Sequence, residues 1–338
     1  MTEEVIKRRE RLDRGVKVRA DTIYAVSSWK EMLFLLAPRA ILIVGLLCLP
    51  FIAPNLYWQR VMCILGIYAL LAIGFDFLAH FVGLVSLGGA FFIGVGAYVS
   101  GSFNHYFGLP PALTIPIGAV AGALICTLTL LPTLPLRGVY FAIVTFAYPV
   151  AAERVICAAG VLGGTDGIPG LTMLPSIWVN QYLILGMVLV CAFALRRLVN
   201  EDMGVVFRGV KDNDQAIRAS GISIIYYKAV AVFIAALMGC LGGAYLAHLY
   251  GWVGISLLAM DFSVFPLVAT VVGGPGTLVG PLLGSIILVP ISEMLRAFGA
   301  LRIVFYSLIM VLFILFWSEG LLNWGRRKYE QFEHWVRV

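Results

Sequence analysis

This sequence predicts an all-α polytopic membrane protein with about ten transmembrane helices, some of them broken or re-entrant, arranged as two inverted-repeat-like halves. Three observations predict it. Of the 338 residues, 61% are hydrophobic and only 12% charged, with a mean hydropathy of +0.96, whereas soluble domains carry about a quarter charged residues. The apolar residues gather into runs near the roughly 20 residues a helix needs to cross a bilayer. Thirty-six glycines suit such a bundle, because small residues let membrane helices approach closely and let backbone break beside a solute.

Residues 1–31 hold Lys7, Arg8, Arg9, Arg11, Arg14, Lys17, Arg19 and Lys30. Standing before the first apolar run, 32–52, they place this arm in the cytoplasm by the positive-inside rule. The arm reads as a solvated or headgroup-bound orientation signal, and it lacks the short apolar core of a cleavable signal peptide. The second span covers 59–79. After a very short turn comes FVGLVSLGGAFFIGVGAYVSG, 81–101, where Gly83, Gly88, Gly89, Gly94, Gly96 and Gly101 lower helix propensity inside an apolar stretch. Such a span either packs very tightly or breaks. A fourth span, 110–134, carries Pro111, Pro116 and Pro132, Arg137 follows it on the cytoplasmic side, and a fifth span covers 138–159. GVLGGTDGIPGLTMLP, 160–175, has too many Gly and Pro for a helix and predicts an extracytoplasmic loop with tight turns at Asp166-Gly167 and Pro169-Gly170. The sixth span, 177–195, returns the chain to the cytoplasm.

The stretch 196–228, RRLVNEDMGVVFRGVKDNDQAIRASGISIIYYK, is the one long polar segment between apolar runs. Its Arg, Lys and acidic residues cannot stay in hydrocarbon unpaired, so it lies in water. Asp212 and Asp214 can serve as N-cap and first-turn anion of a short helix over 215–220, and Gly221 supplies a left-handed stop. A short helix on the water face of a membrane protein is a docking handle, the place where a soluble partner pushes on the membrane part.

A seventh span covers 229–250, and an eighth, 257–272, is interrupted by Asp261 and Pro266. The turn VVGGPGTLVGP, 271–281, leads to a ninth ending near Arg296, and 301–317 makes the tenth. Ten spans put both termini in the cytoplasm, and Arg326, Arg327, Lys328 and Arg337 of the tail agree. Arg154, Arg296 and Arg302 fall near the outer ends against this trend, and the count drops to eight or nine if the eighth and ninth spans are re-entrant. The organisation is then a basic arm (1–31), a first transmembrane half (32–195), a coupling loop (196–228), a second half (229–318) and a tail (319–338). Two glycine-rich broken segments, 83–101 and 273–284, one in each half, point to inverted repeats with a solute site near the midplane.

The net charge of +6 is spread beside apolar spans, so topology explains it better than nucleic acid does. Cys48, Cys63, Cys126, Cys157, Cys191 and Cys240 stand singly in apolar runs as small hydrophobes, and the four histidines are far apart, so neither a disulfide framework nor a metal site is expected. No GxxxxGK[ST] occurs, so this chain does not hydrolyse ATP by the P-loop route. The intramembrane ionisable residues are Asp76, Glu153 with Arg154, Asp261, Glu293 with Arg296, and Glu319. The Glu293 and Arg296 spacing is that of a helix-surface salt bridge, and Asp76 with His80 one turn later can act in gating. So sparse a set argues against proton pumping. A small polar solute can meet Ser86, Gly88, Gly89, Thr145, Thr165, Asp166, Thr270 and Thr277, where a freed helix N-terminus binds a carboxylate without a cation. The same residues equally suit Ser and Thr bonding to their own helices and Gly packing helices together.

GLVSLGGAFFIGVGAYVSG (83–101), LRGVYFAIVTFA (136–147), GGTDGIPG (163–170), RGVKDNDQAIRASGISIIYYK (208–228) and VVGGPGTLVGPLLGS (271–285) together resemble the inner-membrane permease subunits, of the LivM type, of the branched-chain amino acid ABC importers. The resemblance covers most of the chain after residue 60. It departs from the family at Gly89, where many relatives look to carry His, and in the long charged arm. It implies a heterodimer with a second permease, in contact with membrane lipid, and two cytoplasmic ATPase subunits that hold ATP and Mg and grip the loop through Asp212, Asp214, Ala216, Ile217, Arg218 and Gly221. A periplasmic binding protein delivers leucine, isoleucine or valine, for which Ser86, Gly88, Gly89, Thr145 and Thr270 are the candidate path. Importers of this family for urea, short amides or other amino and carboxylic acids are the nearest alternative. A passive channel needs no long cytoplasmic loop with a helix, and a membrane enzyme needs a cluster of acid, base or metal ligands that the scattered histidines deny.

Overall fold

The computed structural model describes residues 45–47, 50, 55–136, 138–299, 301–316, 320–325 and 327–328. The basic arm, most of the first predicted span, Arg137, Glu319 and most of the tail lie outside them. The chain divides into two units, 1–49 and 50–338. Of the first, residues 45–47 are described, and they are helical. The second is a helical membrane bundle with one two-stranded ladder of two residues a strand.

Two helices organise the second unit. The first, α1 (Leu56–Asp76), runs on through a π-helical turn, Phe77–Val82, and ends at Gly83 in the left-handed conformation (φ +79°). After the extended stretch 83–88 comes α2 (Gly89–Phe107), then α3 (Pro111–Leu130), with proline at its first position where no backbone donor is needed. Helix α4 covers Val139–Ala159, and Ser176 caps α5 (Ile177–Asn200) by accepting from the Val179 N–H at 3.2 Å. Two polar helices follow, α6 (Asp202–Asp212) and α7 (Asp214–Ala219). The second organising helix is α8 (Ile224–Tyr250), and α9 (Asp261–Gly273), α10 (Gly280–Met294) and α11 (Leu301–Phe316) complete the chain.

Helix α8 packs against α1, α2 and α3, and glycine makes this possible. A Cβ on Gly96 of α2 would overlap the Cys240 backbone, and one on Gly243 of α8 would overlap the Ile93 carbonyl. Gly118 and Gly122 of α3 press on the same place, within 3.1–3.2 Å of Gly96 atoms when given a Cβ. The three helices therefore cross backbone to backbone, as small-residue spacings allow in a membrane. On its other side α1 meets α9 and α10 through Val61, Leu65 and Ala72 with Phe265, Val268, Ala269, Val272, Leu288 and Val289. The most apolar stretch of Leu56–Val82 is 83% buried, against 28% for α4 and 22% for α5, which turn most of their apolar surface outward.

Among the described residues six helical stretches are long and apolar enough to cross a membrane. Several boundaries differ from the sequence reading. The second span ends at Val82 rather than residue 79, and the predicted third span both breaks and packs: 83–88 is not helical, whereas Gly89, Gly94 and Gly96 abut Phe262, Leu258 and Cys240. Helix α2, ending in Ser100, Asn104 and His105, is not among the six. Helix α9, of 13 residues, is among the six only together with the tight helical turn before it, as Ile255–Gly273, whereas α10, of 15 residues, reaches only about 20 Å, short of the roughly 30 Å hydrocarbon core. Helix extends past the predicted spans on both sides of the polar loop, so α5 reaches Asn200 and α8 starts at Ile224.

Candidate functional site

Backbone that leaves a helix inside an apolar bundle must find partners, because each unpaired N–H costs several kcal/mol in hydrocarbon. In the break at 83–88 it finds side chains. The Leu87 N–H donates to Thr145 Oγ1 (3.0 Å), the Gly88 N–H to Ser86 Oγ (3.3 Å), and the Ala90 N–H, in the first turn of α2, to Ser263 Oγ on α9 (3.1 Å). Thr145 is fully buried and also donates within its own helix, to the Phe141 and Ala142 carbonyls. Ser86, Gly88, Gly89 and Thr145 thus come together at one place. Thr270 stands apart from it, donating to Pro266 O (2.8 Å) and Ala72 O (3.3 Å). Ser263 is the member that sequence reasoning missed, since a serine one turn before Pro266 carries no pattern of its own.

Beside this junction lies a cavity of about 20 Å³ lined by Leu71, Phe75, Ser86, Gly89, Phe92 and Ser263, among others. It holds about one water, far too little room for an amino acid. Gly88 and Gly89 differ here. A Cβ on Gly88 would find its nearest atoms at 3.4–3.6 Å, ordinary contact, but one on Gly89 would overlap the Phe262 carbonyl oxygen.

At the polar-loop end, Asn213 rather than Asp212 caps α7: its Oδ1 accepts from the Gln215 N–H (3.0 Å) and the Ala216 N–H (3.2 Å). Asp212 is instead the last residue of α6, because the chain turns to extended backbone (φ −155°) at residue 213, where an Asx side chain reaches the next turn. Asp214 opens α7, and Gly221 is left-handed (φ +80°) as expected. No residue of α7 is buried; Ala216 and Arg218 are exposed, whereas Ile217 is half-buried and packs on Gly209 of α6. Asp214 is tied inward by Lys228 at 3.3 Å, both side chains nearly out of solvent. Between α6, α7 and the bundle is a polar cleft of about 330 Å³ lined by Lys211, Asp212, Asp214, Gln215 and Lys228, and by Val82, Gly83 and Leu84.

Asp76 is fully buried at this same end. Its carboxylate accepts from the Gly276 N–H (2.7 Å) and the Leu278 N–H (2.9 Å), and His80 Nδ1 stands 2.8 Å away. At the far end Tyr57 and Arg296 (2.7 Å) both donate to Glu293, the ion pair that the spacing predicts. In α4 Glu153 is part-buried and Arg154 is exposed. The remaining far-end tie was not legible: buried His248 meets Ser100 (3.1 Å), Thr114 (2.7 Å) and the Thr172 carbonyl (2.8 Å). Close by, β1 (Ile168–Pro169) pairs antiparallel with β2 (Trp252–Val253), which fixes the loop carrying Thr165 and Asp166. Thr277 holds its own turn, donating to Gly274 O (2.8 Å). No group of three or more metal-ligating side chains occurs among the described residues.

Residues 57–317 match the family described as branched-chain amino acid transport system / permease component. Among relatives, the chain is 27% identical over 291 residues to the high-affinity branched-chain amino acid transport system permease protein LivM of Escherichia coli (strain K12), covering 77% of this chain and 68% of that one. The protein of the same name from Salmonella typhimurium aligns to the same extent. A probable branched-chain amino acid transport permease protein LivM of Methanocaldococcus jannaschii is 24% identical over 229 residues, 62% of this chain and 65% of its own. No solved structure matches the chain. With its apolar bundle, its break at 83–88 and a family match that spans all the described membrane helices, this multi-pass membrane protein belongs to the branched-chain amino acid transport permease family.

Proposed function

We propose that this chain is the permease subunit of an ATP-driven importer that moves leucine, isoleucine or valine across a bacterial inner membrane. The observation that carries the reading is the pairing of a family match over residues 57–317 with an accessible polar helix, α7, braced on the bundle through Asp214 and Lys228. In this reading about ten spans, counting one within 32–52, put both termini in the cytoplasm, with residues 32–195 and 229–318 as the two halves and 196–228 as the coupling loop. Two ATPase subunits bind ATP and Mg and dock on Asp212, Asp214, Ala216, Ile217, Arg218 and Gly221. A second permease completes the pair, and a periplasmic binding protein delivers the solute.

The solute path runs past Ser86, Gly88, Gly89 and Thr145, with Thr270 behind them. One feature supports it: polar side chains are concentrated at one break in an otherwise apolar bundle. A cavity this small implies that a second conformation opens it. The test is reconstitution of the whole complex in proteoliposomes with its binding protein. Leucine should stimulate ATP hydrolysis and enter only with ATP. Uptake without ATP would make the chain a passive channel, and stimulation by urea or a short amide but by none of the three amino acids would reassign the solute.

A further inference from the structure

The turn at 274–279, between α9 and α10, is tied to the polar loop through a short chain of contacts. Lys211, in the last turn of α6, donates from Nζ to the His80 carbonyl at 2.9 Å, and its stem packs on Gly83, where an added Cβ would stand 3.1–3.3 Å from it. His80 belongs to the π-helical turn, and its ring lies against the Asp76 carboxylate. Asp76 in turn clasps the 274–279 turn by two backbone N–H groups, one of them that of Leu278, a non-glycine residue held at φ +60°. Such a backbone persists only where its surroundings fix it. The helix that enters this turn, α9, carries both Ser263, which caps α2, and the Phe262 carbonyl seated on Gly89.

We propose that Lys211 and Asp76 are positioning residues that carry displacement of the α6–α7 pair to the 274–279 turn and, through α9, to the break at 83–88. The proposal rests on the importer reading above. Asp76 clasps by shape: a carboxylate accepts two N–H donors at once, whereas an amide turns one of its own donors toward them. Lys211 acts by its hydrogen bond to the His80 carbonyl, since its stem alone would keep the Gly83 packing. A demonstrated response at the far side of the link is what separates a working connection from mere adjacency.

The experiment compares wild type, Lys211→Met, Lys211→Arg and Asp76→Asn in the intact reconstituted complex, reading amide hydrogen exchange over 274–279 together with leucine taken up per ATP hydrolysed. Lys211→Met should speed exchange over 274–279 at least threefold, leave 251–254 at the far end unchanged, and lower uptake per ATP at least fivefold while basal hydrolysis persists. Lys211→Arg should restore both. Asp76→Asn should raise exchange still further, and if it does not assemble, the exposed Lys211 pair of variants decides alone. Unchanged exchange over 274–279 in Lys211→Met overturns the link whatever the transport result. Wild-type complex that takes up no leucine with ATP overturns the importer reading instead, and the exchange result still stands or falls separately.

Discussion

At the scale of single residues, two pairs separate packing from function. Gly88 and Gly89 are adjacent, yet only Gly89 has backbone in the space of its missing Cβ. Gly89→Ala should therefore cost about 2 kcal/mol through overpacking, visible as a lower melting temperature. Gly88→Ala should leave stability within about 0.5 kcal/mol, so a fall in uptake by this variant at normal expression would mark Gly88 as lining the path, and unaltered uptake would remove it. The second pair is Lys228 and Asp214. Removing Lys228 takes from the nearly buried Asp214 carboxylate a cation at 3.3 Å, at a cost of about 3 kcal/mol. Lys228→Met should loosen α7 and abolish ATPase docking in a pull-down, while Arg218→Ala on the accessible face should weaken docking with the melting temperature unchanged.

At the scale of elements, glycine content has opposite meanings on different helices. Gly96→Ala should separate α2 from α8 and destabilise the bundle by more than about 2 kcal/mol, since the new methyl meets the Cys240 backbone. Gly186→Ala on the outward face of α5, with nothing within 4 Å, should instead stabilise by roughly 0.5–1 kcal/mol. Thermal unfolding of the two variants checks both signs. The same contrast explains what could be read from the sequence. Apolar runs and the polar interruption 196–228 are local signals, so the helices and the loop were legible within a few residues. Whether Gly83 to Gly101 breaks or packs depends on what lies opposite each glycine. The answer, a break up to Gly88 and packing from Gly89 on, needed α8 and α9 in place. Asn213 was missed as a cap because three Asx residues in DND compete for one position, and φ/ψ at 213 decides among them. Asp76 was legible as a buried acid, but its partners Gly276 and Leu278 are 200 and 202 residues away.

At the scale of the whole molecule, the two ends of the bundle are fastened differently. The polar-loop end is held by ion pairs and by one carboxylate on a turn, the far end by His248 and the two-stranded ladder between 168–169 and 252–253. His248→Leu would strand the hydroxyls of Ser100 and Thr114 and release the Thr172 carbonyl. It should cost about 2–3 kcal/mol and open the 160–175 loop to proteolysis, with α7 docking unaffected; a loop as resistant as in wild type would show that the ladder alone holds it. The small cavity at the junction has one more consequence. A chamber with room for a single water, lined by Leu71, Phe75 and Phe92 with the hydroxyls of Ser86 and Ser263, breaks any file of waters along which protons could hop, and two hydroxyls are too few to replace the hydration shell of a sodium ion. In this conformation, then, the chamber beside the break gives neither protons nor sodium a route by which membrane voltage would leak away.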